Sequence, residues 1–349
     1  MSDIQNILPQ KNSYLLGQEE AEAAFLRAYN SKIMHHAWIL SGPFGIGKAT
    51  LAYRIARFLL SADVNKNDYT SLNISEKSNI FQQVANGSNP DLMVLERDYI
   101  DTDRRKIIKA IKDGEPLDDT ELANLKKSAY IRVDDVRKVH DFLTKTSYND
   151  NWRIVIIDSA DDMNKSAANA LLKMLEEPPA RTVILLISHN VGTLLPTIRS
   201  RCAKLPLNAL NDTNVASLLR RYRSDLSEAM IEKLVELCSG SIGKALLYAD
   251  NDIVGMYEDM CSVLCMRQNY SLPKLLEFAA ETAVNEDKFA ILKELIIKFI
   301  KDNMLNAQNP EKLYECWQET EKGFADCINL NMDKKFMLIN LLTKICKVL

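Results

Sequence analysis

The first 201 residues of this 349-residue chain contain no cysteine. All seven thiols, Cys202, Cys238, Cys261, Cys265, Cys316, Cys327 and Cys346, come later, and no pair has the C-x2-C spacing of a zinc site. Residues 51–130 contain no cysteine, so no zinc is expected, and no metal-ligand set is read from the chain's own side chains. The thiols read as reduced, buried cysteines of a cytosolic protein. Glycine and proline are few, at 11 and 10 residues, which excludes collagen-like and low-complexity architectures and leaves helix to dominate. Neither sign of charge prevails. Against 44 basic side chains stand 47 acidic ones, and a net charge of −3 excludes a chain built as a whole to be a polycation for nucleic acid. Long apolar runs are missing too: the most apolar helical stretch, 289–305, is broken by Lys293, Glu294, Lys298, Lys301 and Asp302 and cannot span a membrane. Residues 1–6 show no basic start before an apolar core, so no signal peptide is expected.

What is present is a glycine loop between two ordered elements. Ala37-Trp38-Ile39-Leu40 reads as a buried strand, Gly42-Pro43-Phe44-Gly45-Ile46-Gly47-Lys48-Ala49-Thr50 follows, and residues 51–60 read as a helix. In that setting glycines let backbone amides curl around a β-phosphate, the helix N-terminus adds partial positive charge, and Lys48 reaches the β- and γ-oxygens. Gly42, Gly45, Gly47, Lys48 and Thr50 form the candidate nucleotide site. One part is missing. Ala49 stands where a hydroxyl normally ligates Mg2+, and Thr50 is turned about 100° further round the helix, away from the metal position. The loop is expected to hold ATP or ADP at most, without hydrolysing it.

Further strands are expected over 90–96, 153–158, 182–188 and 203–207. Arg153-Ile154-Val155-Ile156-Ile157-Asp158 is an unbroken β-branched run that ends in a carboxylate, at the carboxyl edge of a parallel sheet, where Asp158 would hold the Mg2+ water shell. Helical stripes separate the strands: Ala21, Ala24, Phe25 and Ala28; Val136, Val139, Phe142 and Leu143; Ala168, Leu171, Leu172 and Leu175, the last stopped by Pro178-Pro179. This alternation predicts an α/β fold with a doubly wound parallel sheet over 1–207. From 211 onward only helices are expected: a small lid over 208–251, with helices at 216–222, 227–238 and 242–249, then an all-helical domain over 252–349. Phe289, Leu292, Ile296 and Phe299 mark one apolar stripe there, and Met337, Leu338, Leu341, Leu342 and Ile345 another, for a core or for a partner. Residues 61–88 read as a polar surface connection with room for one short helix, and 97–127, crowded with both signs of charge, as an exposed insertion.

Taken together, Gly17-Gln18, His36-Ala37, the glycine loop, Asn169-Ala170-Leu171-Leu172-Lys173-Met174-Leu175-Glu176-Glu177-Pro178-Pro179 and Leu195-Pro196-Thr197-Ile198-Arg199-Ser200-Arg201-Cys202 resemble the clamp-loader branch of the AAA+ ATPases over residues 17–249. The leucine-glutamate-proline helix end and the Ser-Arg-Cys element are far more specific than the loop. The resemblance implies an AAA+ P-loop domain, a helical lid and a C-terminal helical collar. It gives Arg201 the role of a finger inserted into a neighbouring subunit's ATP site, where a planar, permanent cation beside the γ-phosphate stabilises transition-state charge. The alternative is that Arg199 and Arg201 pair with carboxylates of their own chain.

Departures from the family pattern narrow the reading. Motor subunits carry Asp-Glu after the apolar strand; here Asp158 is followed by Ser159, and Asp161 and Asp162 lie on the next turn. The lid's sensor arginine falls on Gly243 in Gly240-Ser241-Ile242-Gly243-Lys244. With Ala49, three hydrolytic parts are absent, each of a kind typically worth ~10²–10³ in rate. The expectation is a stator subunit that turns over no ATP alone and lends Arg201 in trans. It would sit in a cytosolic hetero-pentamer with motor and delta subunits that loads a sliding clamp onto primed DNA, away from any membrane. Two alternatives stand beside it: an active motor-type ATPase, which Ala49, Ser159 and Gly243 oppose, and an AAA+ adaptor such as a helicase loader, which Ser200-Arg201-Cys202 opposes.

Overall fold

Five apolar runs of the chain pair side by side. They are β1 (Ala37–Ser41), β2 (Leu92–Leu95), β3 (Arg153–Asp158), β4 (Thr182–Ser188) and β5 (Ala203–Pro206), all parallel, in the order β2-β3-β4-β1-β5. The computed structural model describes residues 7–63, 65–113, 117, 121, 125–144, 152–265, 271–304 and 309–349. Every residue of β4 is buried, as is nearly all of β3, which is why both read as unbroken apolar runs rather than alternating ones. Register puts Asp158 beside Ile187 and Ser41 beside both Ser188 and Pro206, so the carboxyl ends of β3, β4, β1 and β5 line one edge. From β1 the chain crosses to the far edge at β2 and returns through β3 and β4. Such a reversal opens a crevice at the carboxyl edge, the place where open α/β sheets bind ligands.

Successive strand residues face opposite layers. Trp38, Leu40, Ile154, Ile156 and Leu185 pack with Phe25 of α1 (Glu19–Asn30), with Leu51, Ile55 and Phe58 of α2 (Lys48–Ser61), and with Val84 of α3 (Asn79–Ala85). On the other face Ile39, Val155, Ile184 and Leu186 meet the second helical layer. It comprises Val136 and Val139 of α5 (Val133–Thr144), Leu171 and Leu175 of α6 (Lys165–Glu176), and Ile198 of α7 (Pro196–Arg199). The remaining helix of this region, α4 (Asp101–Asp113), buries only Asp103. Asn164 caps α6 by accepting from the Ala167 amide at 2.8 Å.

The short helix expected within 61–88 is α3, but one expectation is corrected here and another gains detail. The connection 61–88 is not merely surface, since Leu72, Phe81 and Val84 are buried. The charged insertion contains α4, which the absence of an apolar stripe hid. Its helical signal is electrostatic: acids in the first turn and cations after it complement the helix dipole.

The chain divides into two compact units, Met1–Asp225 with Gly240–Gly243, and Leu226–Ser239 with Lys244–Leu349. The first takes in α8 (Asp212–Tyr222) along with the sheet. The second is helical: α9 (Glu228–Cys238), most of α10 (Ile242–Asp250), α11 (Ile253–Leu264), α12 (Leu272–Val284), α13 (Glu286–Met304), α14 (Pro310–Asn329) and α15 (Lys334–Val348). Within it α13 packs on α14, and α15 on both α12 and α14. Phe289, Leu292, Ile296 and Phe299, like Met337, Leu338, Leu341, Leu342 and Ile345, are buried, and the Phe289 and Phe324 rings lie 4.7 Å apart. Both stripes therefore serve the unit's own core. All seven cysteines are free, but Cys261 is only half-buried and Cys265, at the C-cap of α11, is exposed, against the expectation of buried thiols. Among the described residues no helix is long and apolar enough to cross a membrane.

Candidate functional site

At the end of β1 the chain turns sharply into the loop, with the Gly42 amide donating to the Ser188 carbonyl at 3.3 Å. Gly45 and Gly47 have φ of 73° and 99°, a left-handed backbone that favours glycine. The Lys48 ammonium donates to the Gly42 carbonyl at 2.6 Å and also to that of Pro43, closing the loop on itself. Its side chain is buried. Burial pulls its pKa down to about 8, against the opposing pull of Asp158 and Asp161, so it is still largely a cation at neutral pH. Gln18 donates through Nε2 to the Ile46 carbonyl at 3.2 Å and to the Asn208 carbonyl at 2.8 Å, tying the loop to the segment that leaves β5. That is the physical content of Gly17-Gln18. Thr50 is buried within α2 and Ala49 half-buried beside it.

Asp158 closes β3 at the same edge. Burial raises its carboxyl pKa, Glu96 adds to the rise, and Lys48 opposes it, so the pair singled out from sequence is electrostatically coupled. The following Ser159 donates its hydroxyl to Asp161 at 2.8 Å. Asp161 also accepts from the Ser188 hydroxyl at 2.9 Å, the Thr193 hydroxyl at 2.9 Å, the His189 amide at 2.5 Å and the Asn190 amide at 3.3 Å. One carboxylate thus ties the end of β3 to the end of β4. Burial alone would raise its pKa, but the hydrogen bonds from His189, Ser159, Ser188 and Thr193 together outweigh it and bring it below the ordinary carboxylate value. Asp162 turns to Arg97 at 3.2 Å. Neither acid is free to act as a base beside the loop. Sequence reasoning missed the role of Asp161, for which the only signal was a run of short hydroxyl and amide side chains after β4.

The segment that carries a sensor arginine in motor subunits lies directly on the loop. Ser241 donates its hydroxyl to the Phe44 carbonyl at 2.8 Å, and the Gly243 amide donates to the Gly45 carbonyl at 2.9 Å. At Gly45 a Cβ would stand 2.4 Å from the Ser241 hydroxyl and 2.9 Å from the Gly243 Cα, so backbone meets backbone here and the absence of a side chain at position 243 is required by the packing.

Arg201 follows α7. Its guanidinium pairs with Glu176 at 2.8 Å and donates to the Thr197 carbonyl at 3.0 Å, half-exposed. Glu176 belongs to the leucine-glutamate-proline helix end, so the two most specific motifs meet in this ion pair. In the chain by itself Arg201 takes the carboxylate-paired alternative. The Arg199 amide donates to the Leu195 carbonyl at 3.1 Å, but its side chain makes no hydrogen bond or ion pair among the described residues, and its Nε is buried. The structure therefore gathers Gly42, Gly45, Gly47, Lys48 and Asp158 at one edge and holds Arg201 on Glu176.

A five-stranded parallel sheet of this order, with a G-x4-G-K loop after β1 and an acid ending β3, defines a P-loop domain of the AAA+ class. Residues 17–211 match the family described as DNA polymerase III, delta subunit, and the chain belongs to that family. DNA polymerase III subunit delta' of Pseudomonas aeruginosa is 33% identical over 206 residues, 59% of this chain and 53% of that protein. The corresponding delta' of Escherichia coli is 26% identical over 261 residues, 75% of this chain and 67% of that one. DNA polymerase III subunit gamma of Buchnera aphidicola subsp. Schizaphis graminum is 26% identical over 242 residues, 68% and 57% of the two chains. The chain spans about half the length of the first and last of these.

Proposed function

We propose that the chain is a delta-prime-type stator of a clamp loader: it turns over no ATP itself and lends Arg201 to the ATP site of a neighbouring motor subunit. The observation that carries this reading is at Ser159. Where a motor subunit of the family has a glutamate to polarise water, this chain has a hydroxyl that donates to Asp161, while Asp161 and Asp162 are committed to other groups. Ala49 and Gly243 support it by removing the metal hydroxyl and the sensor arginine.

The residues present still fit a nucleotide's phosphates. Left-handed glycines and a protonated Lys48 would hold the β- and γ-oxygens, and a bound nucleotide would supply only ligand energy to the fold, not chemistry. For Arg201 to reach a neighbour's γ-phosphate it must exchange Glu176 for the phosphate. The pair is a half-exposed ion pair of the sort worth ~0–1 kcal/mol, so the exchange is cheap. The partners of the reading are motor and delta subunits in a hetero-pentamer, the sliding clamp and primed DNA through that complex, in the cytosol. The division into sheet domain, lid over 208–251 and collar over 252–349 belongs to the same proposal.

Reconstitution tests it. The chain is mixed with motor and delta subunits, and clamp- and DNA-stimulated ATP turnover is compared for wild type and Arg201→Ala. A fall of more than threefold is expected; a smaller one removes the finger. Steady, Mg2+-dependent hydrolysis by the isolated chain would instead favour the motor reading, toward which the gamma relative points.

A further inference from the structure

The described part of the charged insertion 97–127, together with Arg132 just beyond it, sorts its charges. Its inner cations are neutralised by carboxylates: Arg97 with Asp162, Arg104 with Asp98, Lys106 with Asp103, Lys127 with Glu96, and Arg132 with Asp101. Three cations of α4 are left over. Arg105, Lys109 and Lys112 are exposed, and their side chains make no hydrogen bond or ion pair among the described residues. Even Asp101, one turn from Arg105, has its carboxylate engaged by Arg132. Spaced at i, i+4 and i+7, the three lie on one face of the helix, along ~10 Å of its axis. From Arg104 to Lys112 there are five cations and no acid. Because the helix buries only Asp103, this face belongs to no core.

We propose that the outer face of α4 is a docking surface for the phosphate backbone of duplex DNA. Complementarity of charge argues for a polyanion. At 3.4 Å of axis per phosphate on one strand, three in-line cations over ~10 Å meet about three phosphates, and their attraction is reinforced by counterion release. No aromatic side chain interrupts the stripe, so it offers no stacking platform of the kind that single strands require. Contacts of this type position a duplex without reading its sequence. Ile108 and Ile111, 45% and 63% exposed, flank the cations and would rest against sugar edges. Neither Arg201 nor the glycine loop takes part, so failure of this contact leaves the stator reading intact.

Fluorescence anisotropy of a labelled 30-base-pair duplex, titrated with the full chain from 50 to 200 mM salt, tests the assignment. Three phosphate contacts predict an affinity loss of about fortyfold across that range. Arg105→Ala/Lys109→Ala/Lys112→Ala should weaken binding at least tenfold at 50 mM and reduce the log–log salt slope by about 2 to 3. Lys312→Ala/Lys322→Ala, which removes two exposed cations elsewhere, should do neither. Circular dichroism and the melting midpoint check that each variant is folded. An unchanged slope in the folded triple variant would overturn the proposal. So would absence of binding by the wild type at 50 mM, the result expected if an acidic segment of this chain or an acidic protein groove is the true occupant. Tighter binding to a single strand of equal length would overturn the duplex assignment.

Discussion

The Gly243 amide donates to the Gly45 carbonyl at 2.9 Å, and a Cβ on Gly243 would lie 2.7 Å from the Gly45 Cα. Real Cβ atoms essentially never approach within 3.0 Å, and the atom met here belongs to backbone, which cannot swing away as a side-chain tip can. The Gly240–Gly243 segment and the glycine loop therefore share this hydrogen bond at a spot with room for no side chain. In a motor subunit of the family that spot carries an arginine.

Gly243→Ala should accordingly lower stability by about 1–3 kcal/mol, the usual cost of overpacking a filled site. Thermal unfolding followed by circular dichroism measures it. A melting midpoint equal to that of the wild type would mean that the close approach is not kept in solution.

Arg201→Ala and Glu176→Gln each break the 2.8 Å ion pair, yet should leave stability within about 1 kcal/mol of wild type, because the pair is half-exposed and screened. Only Arg201→Ala should depress ATP turnover of the reconstituted complex. Equal losses from both variants would indicate that the pair matters as a unit rather than through a lent guanidinium.

Asp161→Asn should cost about 1–3 kcal/mol at neutral pH, since the amide cannot accept all the donors that converge on the carboxylate. The folded pKa of Asp161 is depressed, so its contribution is present above the unfolded value of about 4 and is lost as pH falls through the folded one. Urea unfolding at pH 7, 5 and 3 should show the gap between wild type and variant narrowing at the lowest pH. A gap that widens in acid would contradict the shift.

Lys48 should titrate near pH 8, which the 13Cε resonance of labelled lysine can follow. Its folded pKa lies below the ordinary ~10.4, so between those values the unfolded chain binds more protons and stability rises with pH relative to Lys48→Met. A midpoint above 10 would place the ammonium in solvent instead of inside the loop.

Much of the fold was open to local reading. β3 and β4 are unbroken β-branched and leucine runs because both of their faces are covered, and the helices between them show their stripes at 3.6-residue spacing. Gly42, Gly45, Gly47 and Lys48 are recognisable because a phosphate loop demands particular backbone angles and one cation at fixed offsets. α4 escaped, since a helix that buries only Asp103 has no apolar period to betray it. Asp161 escaped as well, because its partners come from a strand end that is distant in sequence.

By itself, then, the sequence determined which segments extend and which coil, where the glycine loop sits, and that Ala49, Ser159 and Gly243 stand at three positions of it and its surroundings. Those properties follow from backbone preference and burial period, written over a few neighbouring residues. Tertiary structure alone decided that Asp161 clasps β3 to β4, that Gly243 closes on Gly45, that Arg201 rests on Glu176, and that three cations of α4 have no ion-pair partner among the described residues. Each of these depends on groups far apart in the chain being brought within a few ångströms, and strand order and helix packing, not local preference, set those distances.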